Sequence, residues 1–165
     1  MVASSFEPVS APTARVLILG SLPGQESLRR REYYAHPRNG FWGIVEALFG
    51  IPSTMSYAER TRKLSRSGVA LWDVCASAHR PGSLDVSIRP DSVIANDIAA
   101  FLRGHSRINL ICFNGAKAGE LFRKHVGVPK GVPCLLLPST SPANATMSFA
   151  EKVKCWSVVK EECET

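Results

Sequence analysis

The sequence predicts an α/β fold of three layers, α/β/α, in which helices cover both faces of a central, mainly parallel sheet of four strands. Four apolar runs have the length of buried strands, and apolar residues between them recur at helical spacing. Alternation of strands and helices is typical of parallel sheets with right-handed crossovers. The predicted strands are Val16 to Leu19, Val69 to Val74, Ile108 to Phe113 and Cys134 to Leu137.

The helices of the first half are predicted from periodicity and capping signals. Apolar residues recur at helical spacing from Phe41 to Phe49. The capping box Ser56-Tyr57-Ala58-Glu59 starts a short helix that runs to about Ser67. After a polar loop from His79 to Asp85, one apolar stripe from Val93 to Leu102 predicts a further helix.

Two later helices follow the third and fourth strands. Asn114 is placed to cap the first of them, or else to act as a site residue at the end of its strand. The second helix starts at the capping box Ser148-Phe149-Ala150-Glu151. We expect its core face to hold Phe149, Val153, Trp156 and Val159. Its lysines are expected to face solvent: Lys152, Lys154 and Lys160.

Length and charge indicate one basic domain. A domain of 165 residues buries about 70% of the unfolded chain's surface, so we expect a single domain over residues 1–165, with residues 1–13 loosely ordered. The formal charge of +6 and the pI near 9.3 favour a polyanionic partner. No run approaches the roughly 20 apolar residues of a membrane span, and Met1 to Thr13 lacks signal-peptide features. We expect a cytoplasmic monomer with no membrane partner.

The cysteines and nucleotide motifs argue against a bound cofactor. The five cysteines form no Cys-x-x-Cys pair and mostly lie in apolar runs, which favours reduced core residues over disulfides, a metal or an iron-sulfur cluster. Neither the glycine pattern of dinucleotide sites nor that of P-loops occurs. We therefore expect no metal and no cofactor.

Three short segments carry most of the functional information: Gly20 to Gly24, Tyr33 to Trp42, and Leu137 to Asn144. The first and the last each follow a predicted strand. Because parallel strands end at one edge of the sheet, where open α/β folds bind their ligands, these loops predict a site.

The residue types in these segments suit binding of a ligand, although the first two segments also have a plainer interpretation. Gly20 and Gly24 allow close approach of a ligand to the backbone, and Pro23 stiffens the turn, but an ordinary strand-to-helix turn has the same composition. In the second segment, a tyrosine that covers the core and Asn39 as a helix cap are the alternatives to a binding loop. The third segment offers hydroxyls and amides suited to phosphate: Ser139, Thr140, Ser141, Pro142 and Asn144.

Taken together, the three segments resemble the uracil-DNA glycosylase superfamily and, within it, the hypoxanthine-DNA glycosylase branch. The strings Tyr-Tyr-Ala-His-Pro-Arg-Asn-Gly-Phe-Trp and Leu-Pro-Ser-Thr-Ser-Pro-Ala-Asn are similar to hallmarks of that branch, and the resemblance runs from about Val16 to Trp156. It implies that Tyr34 stacks on a flipped base and that Asn39 is the catalytic asparagine, which holds the attacking water. It also implies that Ser139 to Asn144 press on the duplex and grip phosphates, beside Pro23 and Gly24 of the first loop.

Two departures from the family pattern concern the base. Mismatch-specific relatives carry a catalytic asparagine in the first segment, where this chain has Ser21-Leu22, so the water must be held from Asn39. Uracil-specific relatives read the base with an asparagine where this chain has Asp73. An ionised carboxylate accepts an imino N–H but repels a carbonyl oxygen, so Asp73 argues against tight uracil specificity. The alternative is that Asp73 caps a turn or pairs with Arg80.

The resemblance and the residues together predict a monofunctional DNA glycosylase that acts on DNA containing deaminated bases, first deoxyinosine and then uracil. Gly20 and Ser21, through the first-loop amides and the serine hydroxyl, are expected to bind the base. No lysine lies in the three segments, so the expected product is an abasic site. A lesion-binding module without turnover and a hydrolase of free nucleosides or nucleotides are the alternatives. His36 has a supporting role at most, and Arg29 to Arg31 either contact phosphate or form a solvated helix face.

Overall fold

The computed structural model describes residues 2–165 and is an α/β fold of seven strands and six helices. The strands are β1 (Val2–Ser4), β2 (Val16–Gly20), β3 (Val69–Asp73), β4 (Cys75–His79), β5 (Ile94–Ala95), β6 (Leu110–Asn114) and β7 (Cys134–Leu137). The helices are α1 (Gln25–Arg30), α2 (Phe41–Phe49), α3 (Tyr57–Arg66), α4 (Ile98–Gly104), α5 (Ala116–His125) and α6 (Phe149–Cys163). Asp85–Ser87 and Pro90–Ser92 form single 3₁₀ turns.

The central sheet is parallel and has four strands in the order β3-β2-β6-β7. Every residue of β2 is buried, and its side chains alternate between two cores. Leu17 and Leu19 pack with residues of α4 and α5, whereas Val16 and Ile18 pack with residues of α2, α3 and α6. Helices thus cover both faces, and the predicted three-layer fold with a four-stranded parallel sheet is confirmed.

The strand register brings the predicted site segments to one edge. Gly20 at the end of β2 lies beside Asp73 at the end of β3. On the other side, Asn114 at the end of β6 pairs with Leu137 at the end of β7. The first loop, Asp73, Asn114 and the loop after β7 are therefore neighbours because all four strands point the same way.

A second, antiparallel sheet of three strands, β1-β4-β5, was not predicted. Its middle strand β4 follows β3 after one residue, in a stretch where side chains do not alternate cleanly between apolar and polar. The segment expected to be loosely ordered supplies β1, which pairs with β4, and Val9 forms a bridge to Leu71. Residues 2–13 differ from the expectation because short edge strands carry almost no signal of their own.

The predicted helix over Val93 to Leu102 is correct only in its second half. Asp97 accepts a hydrogen bond from the Ala100 amide and starts α4 at Ile98. Upstream, Ile94 lies in β5 instead, after a 3₁₀ turn that begins at Pro90. The apolar residues from Ile94 to Leu102 therefore belong to two elements, β5 and α4, and not to one helix.

Three details of the later helices also differ from the sequence prediction. Gly115, not Asn114, is the N-cap of α5, at a φ of 96° that favours glycine. The capping box of α6 is present, but Phe149 is 52% exposed. Lys152, expected in solvent, is buried because its ammonium reaches a loop carbonyl described below.

Within residues 2–165, no helix is long and apolar enough to cross a membrane. All five cysteines are free, with Cys75 and Cys112 buried and Cys155 exposed.

Candidate active site

A cleft of about 1060 Å³ lies at the carboxyl edge of the central sheet. All three segments singled out in the sequence line it, together with Asp73, Asn114 and a loop near Asp85. The cleft is thus the place where the predicted site residues meet.

The first loop, Gly20 to Gly24, is held by its backbone. The amides of Val74 and Cys75 donate to the carbonyls of Gly20 and Ser21. Arg80 is 2% exposed, and its guanidinium donates to the carbonyls of Leu22, Pro23 and Gly82. One buried cation therefore fixes the turn that carries Pro23 and Gly24 into the cleft.

Gly20 and Asp73 form the closed end of the cleft. A Cβ atom on Gly20 would lie 2.6 Å from Asp73 Oδ1 and 3.2 Å from the hydroxyl oxygen of Tyr34, so only glycine fits. The buried Asp73 accepts a hydrogen bond from Ser5 Oγ at 3.1 Å. Arg80 donates to carbonyl oxygens, and the predicted Asp73–Arg80 pair is absent from residues 2–165.

Tyr34 joins this closed end from the second segment. Its backbone is left-handed, with φ of 57°, and its ring stacks on Phe41 with centroids 4.2 Å apart. Its hydroxyl is buried and has no hydrogen-bond partner within residues 2–165. Burial, together with the Asp73 carboxyl, raises the pKa of the Tyr34 phenol, so the proton stays on and is available to a ligand.

Tyr33 is a structural residue. Its amide donates to the Tyr57 hydroxyl, and its own hydroxyl donates to the Glu7 carbonyl. Its carbonyl accepts from the indole of Trp42. These bonds fix the backbone next to Tyr34 and explain why two adjacent tyrosines have different roles.

Asn39 is a half-buried side chain at the start of α2. Its Oδ1 accepts from the Phe41 amide at 2.9 Å, but the N-cap of α2 is Gly40, so Asn39 is not the cap and instead holds the first amide of the helix from the position before it. Its Nδ2 makes no hydrogen bond to residues 2–165, and Asn39 lines the cleft. One atom of the amide group is therefore fixed, and the other has no partner. His36 is exposed, and its Nδ1 accepts from the Arg38 amide.

The loop after β7 is held from both sides of the cleft. Asn114 Nδ2 donates to Thr140 Oγ1 at 2.9 Å, and the Thr140 amide donates to Asn114 Oδ1 at 3.0 Å. The Gly40 amide donates to the Thr140 carbonyl, which ties this loop to the segment of Asn39. The side chains of Asn114 and Thr140 are buried and hydrogen-bonded to each other, so they hold the loop in place.

Further along, the loop is closed by its own polar groups. Asn144 Nδ2 donates to the Ser139 carbonyl, and the Ser141 amide donates to Ser139 Oγ. Lys152 reaches from α6 to donate to the Asn144 carbonyl at 2.9 Å. A partly buried ammonium therefore supports a loop whose outer face, at Pro142, is exposed.

A family model described as the uracil DNA glycosylase superfamily matches residues 7–160. The chain belongs to the uracil DNA glycosylase superfamily. The predicted family resemblance is thus confirmed.

Proteins similar to this chain come from two species of Methanosarcina. A protein named hypoxanthine DNA glycosylase from Methanosarcina acetivorans is 36% identical over 149 residues, covering 90% of this chain and 92% of that one. A protein of the same name from Methanosarcina barkeri is 35% identical over 121 residues, 73% of this chain and 75% of its own. A solution NMR structure from M. acetivorans, provisionally assigned as a uracil DNA glycosylase, superposes with a TM-score of 0.82 at 34% identity. It covers 98% of this chain and 99% of that one.

Ser21, in the first motif of this superfamily member, has a partner that the sequence did not suggest. Its hydroxyl donates to Asp85 Oδ1 at 2.6 Å, so its proton is engaged within the protein, and direct donation to a base would require that bond to break. Asp85 lies in the loop after β4, far along the chain and outside any motif, and only the fold brings it to the cleft.

Arg29 and Arg30, two of the charged residues considered from the sequence, do not line the cleft. Arg29 and Arg30 are exposed and both bond Glu26 on α1. Within residues 2–165, no three histidine, cysteine, aspartate or glutamate side chains are grouped as metal ligands.

Burial gives Asp73 an unusual charge state for an aspartate. Desolvation raises the pKa of its carboxyl from 3.8 to about 7, and the Asp85 carboxylate adds to the rise, while the Ser5 hydrogen bond and Arg80 oppose it. Near neutral pH both forms of the acid are therefore populated, and the protonated form can donate a hydrogen bond.

This pKa makes the stability of the fold depend on pH. Between about pH 4 and pH 7 the native state holds a proton on Asp73 that the unfolded chain has released, so the native state loses stability as the pH rises. We expect the free energy of unfolding, relative to that of Asp73→Asn, to fall by at least about 1.4 kcal/mol between pH 5 and pH 8, the value of one pKa unit. Urea unfolding at the two pH values measures it. The control is Asp91→Asn, because Asp91 is exposed. If the free energy of unfolding changed equally with pH in Asp73→Asn and in Asp91→Asn, the assignment of the pH dependence to Asp73 would be contradicted.

Proposed function

We propose that the protein is a monofunctional DNA glycosylase that hydrolyses the N-glycosidic bond of deoxyinosine in DNA, with uracil as a second substrate. The names of the Methanosarcina relatives support hypoxanthine as the base. The observation that carries the proposal is the closed end of the cleft. There Gly20, which has no Cβ atom, lets the Asp73 carboxyl and the unpartnered Tyr34 hydroxyl lie close to the backbone of the first loop.

That closed end matches the edge of hypoxanthine. The base presents an N1–H donor next to an O6 acceptor, and Asp73 is an acid that accepts from the first while ionised or donates to the second while protonated. The Tyr34 hydroxyl lies in the plane of its own ring, so it does not reach the edge of a base stacked on that ring and is left to donate to another acceptor of the bound nucleotide. We therefore assign Gly20, Tyr34 and Asp73 to base recognition.

The ring of Tyr34 provides the platform for the extruded base. Phe41 stacks on one face of the ring with centroids 4.2 Å apart, and Tyr34 lines the cleft. Stacking on an aromatic ring is worth about 1–3 kcal/mol per base, comparable with the cost of flipping a damaged nucleotide. The stacking energy therefore offsets the free-energy cost of extruding a weakly paired base.

Asn39 is assigned to the attacking water. Its Oδ1 is fixed by the Phe41 amide, so its orientation is set before substrate arrives. An amide takes up no proton at neutral pH, so its role is to position the water and stabilise charge, not to act as a base.

In the reaction the C1′–N9 bond breaks, and its electron pair leaves with the base. Water adds to C1′ and loses a proton, and the departing base gains one. No lysine lies in the three segments, so no Schiff base forms there and the abasic site is the product.

The loop from Ser139 to Asn144 and the turn at Pro23 and Gly24 are assigned to the DNA backbone. The loop ends beside the base pocket because Asn114 and the Gly40 amide hold Thr140 in place. Exposed amides and hydroxyls on a protein of charge +6 suit phosphate contacts.

A panel of defined oligonucleotides tests the proposed function. Single-turnover cleavage is measured on hypoxanthine, uracil and xanthine in single- and double-stranded DNA and on free deoxyinosine. We expect alkali-labile abasic sites with hypoxanthine as the fastest substrate. Tight lesion binding without cleavage would instead support a binding module, and cleavage confined to free deoxyinosine would support a nucleoside hydrolase.

Tyr34→Ala should weaken binding to lesion DNA more than binding to undamaged duplex, because the ring is contacted only after flipping. We expect about a tenfold loss or more on the lesion, from stacking worth about 1–3 kcal/mol. Tyr34→Phe keeps the stack on Phe41 and removes only the hydroxyl, so it should retain lesion binding and slow excision. Fluorescence anisotropy on both DNAs measures the two losses, and equal losses would make Tyr34 a purely structural residue.

A further inference from the structure

Strand β7 is an edge strand of the central sheet and exposes two leucines. The sheet has the order β3-β2-β6-β7, so β7 pairs with β6 on one side and with no strand of residues 2–165 on the other. Leu135 is 37% exposed and Leu136 is 56% exposed. An open edge that carries large apolar side chains is a template for another extended chain.

The backbone of β7 offers hydrogen bonds on its open side. On the paired side, the carbonyls of Pro133 and Leu137 accept from amides in β6 and directly after it. Backbone groups of a strand point alternately to its two sides, so the amide and carbonyl groups of Cys134 and Leu136 face outward. Because Pro133 and Pro138 bound the strand, the open edge suits a short guest strand.

The two leucines lie on opposite faces of the sheet. Leu135 pairs with Cys112, which packs with residues of α2, α3 and α6. Leu136 pairs with Phe113, which packs with residues of α5. Side chains of a guest strand alternate between the two faces as well, so the guest would contact one leucine on each face.

The chain around the start of β7 is basic. No aspartate or glutamate lies between Glu120 and Glu151. Arg123 and Lys124 in the last turn of α5 and Lys130 before β7 are exposed, and none of the three forms an ion pair with another of residues 2–165. Exposed cations at one end of an open strand favour a partner with acidic residues at the matching end.

This surface is separate from the cleft. The parallel strands bring the cleft loops together at their carboxyl ends, whereas Lys130 and the end of α5 lie toward the amino end of β7. The four residues of β7 span about 13 Å between these ends. Neither the three cations nor the two leucines line the cleft, so a partner on β7 leaves the cleft open to DNA.

We propose that the open edge of β7 binds a short acidic segment of another protein in extended conformation, which adds a fifth strand to the central sheet. The inference does not depend on the proposed function. A peptide pairs with the outward amides and carbonyls of Cys134 and Leu136, whereas the phosphates of a nucleic acid only accept hydrogen bonds. A second copy of this chain fits less well, because it brings the same basic segment to the contact.

Two fluorescently labelled peptides probe the edge. Each has a run of alternating valine and threonine residues as long as β7, with glutamates after the run in one peptide and before it in the other. Either strand direction can then place the glutamates beside the start of β7. Fluorescence anisotropy measures binding to the wild type, to the double variant Leu135→Ser with Leu136→Ser, and to the charge reversal Lys124→Glu with Lys130→Glu.

The matched control is the charge reversal Arg62→Glu with Lys63→Glu. These cations are exposed on α3, which packs against β3 at the other edge of the sheet. A control peptide carries N-methyl groups on one edge of its backbone, which remove hydrogen-bond donors and leave the charge unchanged.

We expect one of the two peptides to bind the wild type and the α3 control equally, and to bind each of the two β7 variants about tenfold or more weakly. Added salt should weaken the complex, and the N-methylated peptide should not bind. In NMR spectra of the wild type, hydrogen exchange at the amides of Cys134 and Leu136 should slow when the peptide is added.

Three outcomes would overturn the proposal. If neither peptide binds, or if the serine variant binds as tightly as the wild type, no strand is added at β7. If sedimentation shows a wild-type dimer that the serine variant lacks, the edge holds a second copy instead. If the charge reversal weakens binding of duplex DNA and the peptide protects no amide of β7, the basic segment is a nucleic-acid surface.

Discussion

Asn39→Ala is expected to slow excision of hypoxanthine by about 100- to 1000-fold while DNA binding persists, the scale of losing one preorganised polar group. The Nδ2 group, which has no partner within residues 2–165, is the group removed. The substitution also removes the acceptor of the Phe41 amide, and the loss of one hydrogen bond costs about 1 kcal/mol. Single-turnover rates at saturating enzyme separate the slower chemistry from this modest loss of stability.

Asn39→Ser separates the two roles of the side chain. A serine hydroxyl can also accept from the amide two residues on, so this variant should recover the melting temperature but not the rate. A serine variant that excised hypoxanthine at nearly the wild-type rate would limit Asn39 to this structural hydrogen bond and move the water to another residue.

Asp73→Asn is expected to raise the ratio of uracil to hypoxanthine excision by about tenfold or more, since one buried hydrogen-bond mismatch costs about 1–3 kcal/mol. Asparagine always presents an NH₂ group to a carbonyl oxygen, whereas the carboxyl offers a donor only while protonated. The shape is unchanged, and the amide can still accept from Ser5 Oγ.

The pH dependence sharpens this comparison. Because the pKa of Asp73 is about 7, the wild-type ratio should change between pH 6 and pH 8, and the ratio of the variant should not. Competition assays with both lesions in one tube measure the ratio directly. A parallel fall of both activities would mean that Asp73 organises the first loop, and unchanged activities would place base reading with the first-loop amides.

The parallel sheet was predictable because its strands read as continuous apolar runs, as the fully buried β2 does and as β7 does although Leu135 and Leu136 are exposed. The small antiparallel sheet was not, because β5 has two residues and β1 has three. The stripe ending at Leu102 misled for a related reason: apolar spacing does not reveal that Asp97 interrupts it as a cap.

The site residues that lie within the three short segments could be predicted from the sequence. The three segments do line one cleft, since parallel strands deliver loops to one edge. Hydrogen-bond partners distant in sequence could not be predicted. These are Asp85, which accepts from Ser21, and Ser5, which donates to Asp73. Asn114 shows the limit for single residues, because a strand-end asparagine that caps the next helix and one that clamps a distant loop look alike in sequence.

The position of Ser5 also matters for how the protein is prepared. Strand β1 is followed directly by Ser5, whose hydroxyl donates to the Asp73 carboxyl, so the amino-terminal stretch supports the proposed base pocket. A deletion of residues 2–5 would remove that donor. An amino-terminal affinity tag would be attached next to β1, the strand that holds Ser5 in position. Recombinant enzyme for kinetic work is therefore better tagged after Thr165. Differently tagged preparations should agree in their pH profile before their substrate preferences are compared.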